Sequence, residues 1–409
     1  MNQRKLHKTI ESFNSKQFNS SENLLSHVLH QIVTNDRIEI TGGRVWKLDT
    51  TKVAYELIAQ EGAVQKISPG YTVKVDEYRI FKSLPKHRTV VAKETNSYLR
   101  SKGIMRYSAT GVGDIIHVKG TDLFKYVLSF NTELDHEHIA PTLNIISIAV
   151  SSMLKNRSIE KTSKQLQKDL DKARDIQQSI LPAHELQFHN YEAFGISLAD
   201  RVVGGDFFDY IVSKDKDRVA VVIGDAASKG ISAAVQALYV SGALRMGATY
   251  HMQMSNLIRN INSLVHHAFS DDRILTLFYM ELIDDKHGLV VYVNAGHSSP
   301  LVYRAATSSI ELLEATGNII GPFPDQLYRS EGLMLSKGDI MLLYTDGISE
   351  AMDSAGKQYT EKRLIDKLTE LKNENSQTIA RLIIEDVQKF SAKSKYSDDK
   401  TIVVVKRIK

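Results

Sequence analysis

Apolar positions change period along this chain, and the changes mark its elements. From Ser21, the residues Leu24, Leu25, Val28, Leu29 and Ile32 recur at three- and four-residue steps, which predicts an amphipathic helix. The period then falls to two. Val45, Trp46 and Leu48 lead into a DTTK turn, and Val53, Tyr55 and Leu57 leave it, so a hairpin is expected. Further strands are predicted over 71–75, 88–92, 114–118 and 125–130, with a helix starting near Glu137. Helix, antiparallel sheet and closing helix make a small α+β module over residues 21–150, after a polar extension at 1–20. Trp46 reads as a packed sheet residue rather than a ligand platform.

Residues 139–181 read as one long helix. Ile139, Leu143, Ile146, Val150 and Met153 alternate short steps. Ile159, Leu166, Ala173 and Ile180 then recur every seven residues, with Leu170 between them. Ser163 and Gln177 interrupt this seam, so residues 151–182 read as a weak coiled-coil linker that favours a parallel homodimer. Pro182 ends the helix.

Residues 183–409 are first strand-rich and then mixed. Strands are predicted over 191–198, 207–212, 218–224, 274–283, 289–294, 301–304, 310–314, 333–335, 340–344 and 401–406. Helices are predicted over 231–249, 254–269, 360–371 and 376–390.

Composition narrows the chemistry. With 409 residues, 42% apolar and 24% charged, the chain is globular and long enough for two or more domains. It has no Cys, which excludes disulfides, thiolate metal sites and a cysteine nucleophile. No apolar run of about 18 residues suggests a membrane span. The opening MNQRKLHKTIESFNSK has no apolar core for a signal peptide, so a cytoplasmic protein is expected. Residues 1–150 carry 20 Lys and Arg against 15 Asp and Glu, whereas 184–409 carry 25 against 29. No basic block with interleaved aromatics appears, so no nucleic-acid partner is expected.

The informative residues are aspartates at strand ends. GGDFFD holds Asp206 and Asp209. Asp225 follows the apolar run RVAVVIG, Asp346 follows IMLLY, and Asp398 and Asp399 precede the last strand. Hard divalent ions select oxygen ligands, and carboxylates delivered by several rigid strand ends can hold two of them. Each piece alone is commonly only a turn; their conjunction and order carry the signal.

The series GGDFFD, GDAASKGISAA, TLFYMEL, NAGHSSPLVYR, SKGDIMLLYTDGISEA and SDDKTIVVVK resembles the SpoIIE/RsbU-type branch of the metal-dependent (PPM, type 2C) serine/threonine phosphatases. ARDIQQSILP is similar to the entry helix before such domains, so the resemblance spans about residues 173–409. It implies an antiparallel β-sandwich flanked by helices. It also implies two Mn²⁺ or Mg²⁺ ions held by Asp206, Asp225, the carbonyl of Ala226, Asp346 and Asp398, with Asp206 and Asp225 central to catalysis. Asp399 is the alternative to Asp398 if the register is off by one. Asp209 is expected just outside the ligand set. Lys229 is read either as a phosphate contact or as a charge balancer, and His297 of NAGH as a turn and packing residue.

In such a site two cations acidify a water and neutralise the phosphoryl oxygens, so no covalent enzyme intermediate is needed. The branch usually reads GDVSGKG. Here Ala226, Ala227 and Ser228 stand in the middle, and Ser228 replaces a residue that can need positive φ, so an altered turn is expected. Residues 20–155 are similar in element order to a GAF-type sensory domain, which implies an upstream activator or small ligand. The typical substrate of the branch is a phosphorylated STAS-domain (anti-anti-sigma) protein. Two other readings compete with this one. A non-catalytic switch would use the same fold to bind partners. A nucleotide cyclase would need a base pocket that the sequence does not offer.

Overall fold

The computed structural model describes residues 18–34, 40–63, 65–132, 136–250, 252–269 and 274–409. The chain divides into two compact units, Met1–Leu166 and Gln167–Lys409. Most of the 1–20 extension lies outside the described residues.

In the first unit, helix α1 (Ser21–Val33) starts at Ser20, whose hydroxyl accepts from the amide of Asn23. Strands β1 (Ile40–Asp49), β2 (Ala54–Gly62), β3 (Thr72–Lys74), β4 (Thr89–Lys93), β5 (Arg106–Val118) and β6 (Thr121–Thr132) form one sheet in the order β3-β2-β1-β6-β5-β4. Its pairs are antiparallel. Two separately predicted strands, 114–118 and 125–130, are parts of the long β5–β6 hairpin.

Alternation sends one set of side chains to each face. Val45, Val112, Leu128 and Phe130 meet Leu25, Val28 and Leu29 of α1 and Leu143, Ile146 and Val150 of α4 (His136–Ile180). Trp46, Leu48, Tyr55 and Val127 face the other way, toward α2 (Arg79–His87) and α3 (Ser97–Ser101). Periodicity did not predict α2 and α3. They are short, and Pro85 lies inside the first of them.

The second unit is a β-sandwich. Strands β9 (Phe207–Val212), β10 (Arg218–Ala226), β11 (Leu275–Ile283), β12 (Leu289–Ala295) and β15 (Glu331–Met334) form a sheet in the order β15-β12-β11-β10-β9. The other sheet has the order β14-β13-β16-β17-β8-β7. It comprises β7 (Glu185–Phe188), β8 (Tyr191–Leu198), β13 (Leu301–Arg304), β14 (Ser309–Leu312), β16 (Ile340–Tyr344) and β17 (Lys400–Arg407).

Between the sheets lie Phe208, Val219, Val221, Ile223, Met341, Leu343, Val403 and Val405. Ala220 and Val222 point outward to α5 (Ile231–Thr249) and α6 (Met254–Ala268). Leu342, Ile402 and Val404 point outward to α7 (Glu361–Glu370) and α8 (Ser376–Ser391). Helices cover both outer faces, so VAVVI and IMLLY are apolar throughout instead of alternating. The fold class expected from the sequence, an antiparallel sandwich flanked by helices after an α+β module, is the architecture observed.

Packing between the sheets is tight enough to exclude a methyl group at one point. Gly195 of β8 lies against the Phe208 ring, into which a Cβ would collide. Gly195→Ala should therefore cost about 1–3 kcal/mol, the range for an overpacked core. Urea unfolding measures it, and an unchanged midpoint would show that the ring moves aside freely.

Candidate metal centre

Strand pairing gathers the aspartates. Gly224 pairs with Phe207 across β10 and β9, so Asp225 leaves one strand beside Asp206, which enters the other. Tyr344 pairs with Ile402 across β16 and β17, and the Thr345 amide donates to Thr401 O. Asp346 therefore leaves β16 where Asp398 and Asp399 enter β17. One end of the sandwich holds all five.

Their charges act on one another. Asp206 is 5% exposed; burial, then the charge of Asp225, pushes its carboxyl well above the ordinary range. Burial and the charge of Asp346 raise Asp225 to about 7, opposed by a hydrogen bond with Asp206. Loss of surrounding water, then Glu350 and Asp398, raises Asp346, which stands at the mouth. Among the described residues no group of three or more acidic or histidine side chains is already at ion-binding spacing. This oxygen donor set carries more negative charge than the neighbouring Lys229 balances, a chemistry that suits hard divalent ions.

The two adjacent aspartates differ. Asp399 Oδ1 accepts the Asp200 amide at 2.8 Å, and Oδ2 accepts the Gly205 amide at 2.6 Å and the Asp206 amide at 3.4 Å. Both of its oxygens are committed to the loop that carries Asp206. Asp398 faces outward, with Lys229 Nζ at 2.8 Å and the Tyr396 hydroxyl at 3.1 Å from Oδ2. Lys229 thus balances Asp398 in this structure. The Thr345 hydroxyl donates to Asp206 Oδ2 at 2.7 Å and fixes its orientation.

The glycines of GGDFFD are needed for close approach. A Cβ on Gly205 would lie 2.9 Å from the Ala226 carbonyl, which faces this loop. A Cβ on Gly347 would strike the carbonyl of Asp399. Ser228 keeps an ordinary negative φ, and Gly230 takes the positive φ (+71°) before α5. Ser228 therefore stands at a position that does not need positive φ in this turn.

Two polar residues are held by contacts that local sequence does not signal. The Asp209 carboxylate accepts from Arg245 Nε at 2.6 Å and Nη2 at 3.1 Å. The same Nη2 holds the carbonyl of Ile180, the last residue of α4, at 2.7 Å. Gln177, expected as a polar break in a dimer seam, is 8% exposed. Its Nε2 donates to Gly204 O at 2.8 Å, and its Oε1 accepts the Gly204 amide at 3.3 Å. A lone Gln and Arg carry no sequence signal for such roles. Only the fold shows that the helix end grips the GGDFFD loop.

Comparisons with known proteins bear on the family and the fold. Residues 215–408 match the family model described as Stage II sporulation protein E (SpoIIE). The carboxyl-terminal half is a SpoIIE-type protein phosphatase domain. The chain is similar to "Phosphoserine phosphatase RsbU" of Bacillus subtilis, with 25% identity over 62% of this chain and 74% of that protein. It is also 26% identical to "Phosphoserine phosphatase RsbP" of the same organism, over 58% of this chain and 57% of that one. The fold matches the "SiaA-PP2C domain of Pseudomonas aeruginosa" with a TM-score of 0.52 and 20% identity, covering 60% of this chain and 98% of that one.

His297 of the phosphatase domain is a packing residue. It is 5% exposed; its Nδ1 lies 2.8 Å from the Thr276 hydroxyl, and its amide donates to Asn294 Oδ1 at 2.8 Å. Burial pulls its pKa from 6.5 to about 4. The folded domain keeps it neutral, whereas the unfolded chain gains a proton as pH falls through 6.5. Its contribution is present above pH 6.5 and lost toward pH 4, on the order of 3 kcal/mol. His297→Asn should flatten the fall in unfolding free energy between pH 7 and pH 4 (measured by denaturant titration). An unaltered slope would mean that the imidazole is not held neutral.

Proposed function

We propose that this chain is a divalent-metal-dependent phosphatase for phosphoserine or phosphothreonine on a STAS-domain protein, controlled by a GAF-like N-terminal unit. The observation that carries the catalytic part is the crowding of Asp206, Asp225, Asp346 and Asp398 at one sandwich end, with two of the four pushed above the carboxylate range by burial and by one another.

These four side chains and the Ala226 carbonyl would hold two Mn²⁺ or Mg²⁺ ions. When bound, such ions acidify water and neutralise charge on a phosphoryl group. The remaining roles fall to the chain itself. Asp399 holds the Asp206 loop by its amides. Thr345 orients Asp206. Lys229, half-exposed beside Asp398, is placed to turn toward an incoming phosphate. The chain has no Cys, so no thiolate can take the phosphoryl group. The names of the two Bacillus relatives favour a phosphoserine substrate, and the resemblance to their branch favours a STAS-domain protein.

Asp225→Asn removes the carboxylate shared between the proposed ions. Manganese-dependent hydrolysis of p-nitrophenyl phosphate should fall at least about a hundredfold while circular dichroism is unchanged. A folded variant that keeps most of its activity would instead favour a partner-binding switch.

Control is proposed to pass along α4. Ile159 and Leu166 are more than half exposed in the single chain, which supports pairing of this helix with that of a second copy. At its far end Gln177 holds Gly204, two residues from Asp206, and Arg245 holds Ile180. Rotation or a register shift of α4 would pull on the loop that carries a metal ligand. Four Gly-Ser residues inserted after Lys168 should fix activity at one level, and Gln177→Ala should raise the Mn²⁺ concentration needed for half-maximal activity. An insertion variant that still responds to its activator, assayed on a phosphorylated STAS protein, would exclude helical coupling.

A further inference from the structure

The first unit buries an arginine that has no paired carboxylate among the described residues. Arg44 of β1 is 2% exposed. Its Nη1 donates to Asn131 Oδ1 at 3.0 Å and its Nη2 to the Gln65 carbonyl at 3.3 Å. Its Nε–H has no partner among the described residues. A guanidinium carries five N–H groups, and an unpaired buried charge is costly to maintain. Loss of water pulls its pKa down to about 10, opposed by the charge of Glu94.

Arg44 and Glu94 line the same cavity, with the rings of Trp46, Tyr78, Phe81 and Tyr107. The cavity is narrow. Its free volume is about 40 Å³. Glu94 is 7% exposed. Its Oε1 is saturated by the Tyr78 hydroxyl at 2.6 Å and by the amides of Thr95 and Asn96, each at 2.8 Å. Its Oε2 makes no hydrogen bond among the described residues. The Trp46 Nε1–H is taken by Ser129 Oγ at 2.9 Å, so its indole offers the cavity an apolar surface.

The cavity is therefore lined by a guanidinium that uses only two of its five N–H groups, by a carboxylate with one oxygen outside these hydrogen bonds, and by aromatic surface. The two charges sum to zero. A simple anion would satisfy Arg44 and be repelled by Glu94; a simple cation would meet the reverse. A molecule carrying both charges satisfies both, and aromatic faces add attraction for its cationic end. We propose that this cavity binds a small zwitterion, with its carboxylate on Arg44 and its ammonium on Glu94, an amino acid with a small side chain being the simplest form. The site belongs to the N-terminal unit, so its test does not depend on the phosphatase reading.

Trp46 is the single tryptophan of the chain and lines the cavity, so its emission reports occupancy directly. The full-length protein should be titrated with glycine, alanine, proline and 4-aminobutyrate, and in parallel with acetate, propionate, methylamine and ethylamine. A saturable change is expected for at least one zwitterion, with its single-charge counterparts at least about tenfold weaker. Arg44→Gln and Glu94→Gln should each weaken it about tenfold or more without altering the emission of the free protein. Glu94→Gln removes a charge but keeps an oxygen acceptor, so it decides the matter if Arg44→Gln fails to fold. Equal binding of acetate or methylamine, full binding to Glu94→Gln, or no change with any zwitterion at tens of millimolar would overturn the proposal.

Discussion

Repulsion among carboxylates at one end of the β-sandwich is the constraint on which the rest of this domain depends. Two antiparallel strand pairs, β9–β10 and β16–β17, open toward the same end, and each delivers acid there. Nothing in the hydrophobic packing requires this. Val219, Val221 and Ile223 would pack between the sheets equally well if β10 ended in Asn. The fold instead keeps Asp206 almost fully buried beside Asp225, an arrangement that costs stability and that the proposed cations would neutralise. Sites that break a local rule in this way are commonly the functional ones.

The surrounding residues hold this unfavourable group in place. Asp399 spends its oxygens on three backbone amides instead of joining the acids. Gly205 and Gly347 permit contacts that any side chain would block. Gln177 and Arg245 tie the end of the long helix to the same loop and to Asp209. The loop bearing Asp206 is thus gripped by the last strand on one side and by the entering helix on the other.

Much of this was legible in the sequence because it is carried by local pattern. Ile231–Thr249 and Leu301–Arg304 coincide with the elements read from periodicity, since long amphipathic runs and turn-bounded apolar runs are the strongest signals. Aspartates at strand ends could be picked out for the same reason. What was not legible depends on side chains from distant segments. Gln177 has the spacing of a coiled-coil position, and only the fold turns it toward Gly204. Asp209 sits in the motif but is claimed by Arg245, 36 residues away. Arg44 looks like an ordinary polar residue of a strand, and its burial beside Trp46 follows from the β1 register and the helices that cover that face. Short α2 and α3 were missed because nine and five residues leave too little periodicity to read.

If carboxylate repulsion is what the bound ions relieve, removing one charge should help the metal-free protein and harm the loaded one. Thermal unfolding of the parent and of Asp225→Asn at pH 8, in EDTA and then in excess Mn²⁺, measures this directly. The parent should gain a large, saturable increase in Tm with Mn²⁺. The variant should melt above the parent in EDTA and gain little from the metal. A variant that melts below the parent in EDTA, yet responds to Mn²⁺ as the parent does, would contradict the assignment of this acid group as the metal centre.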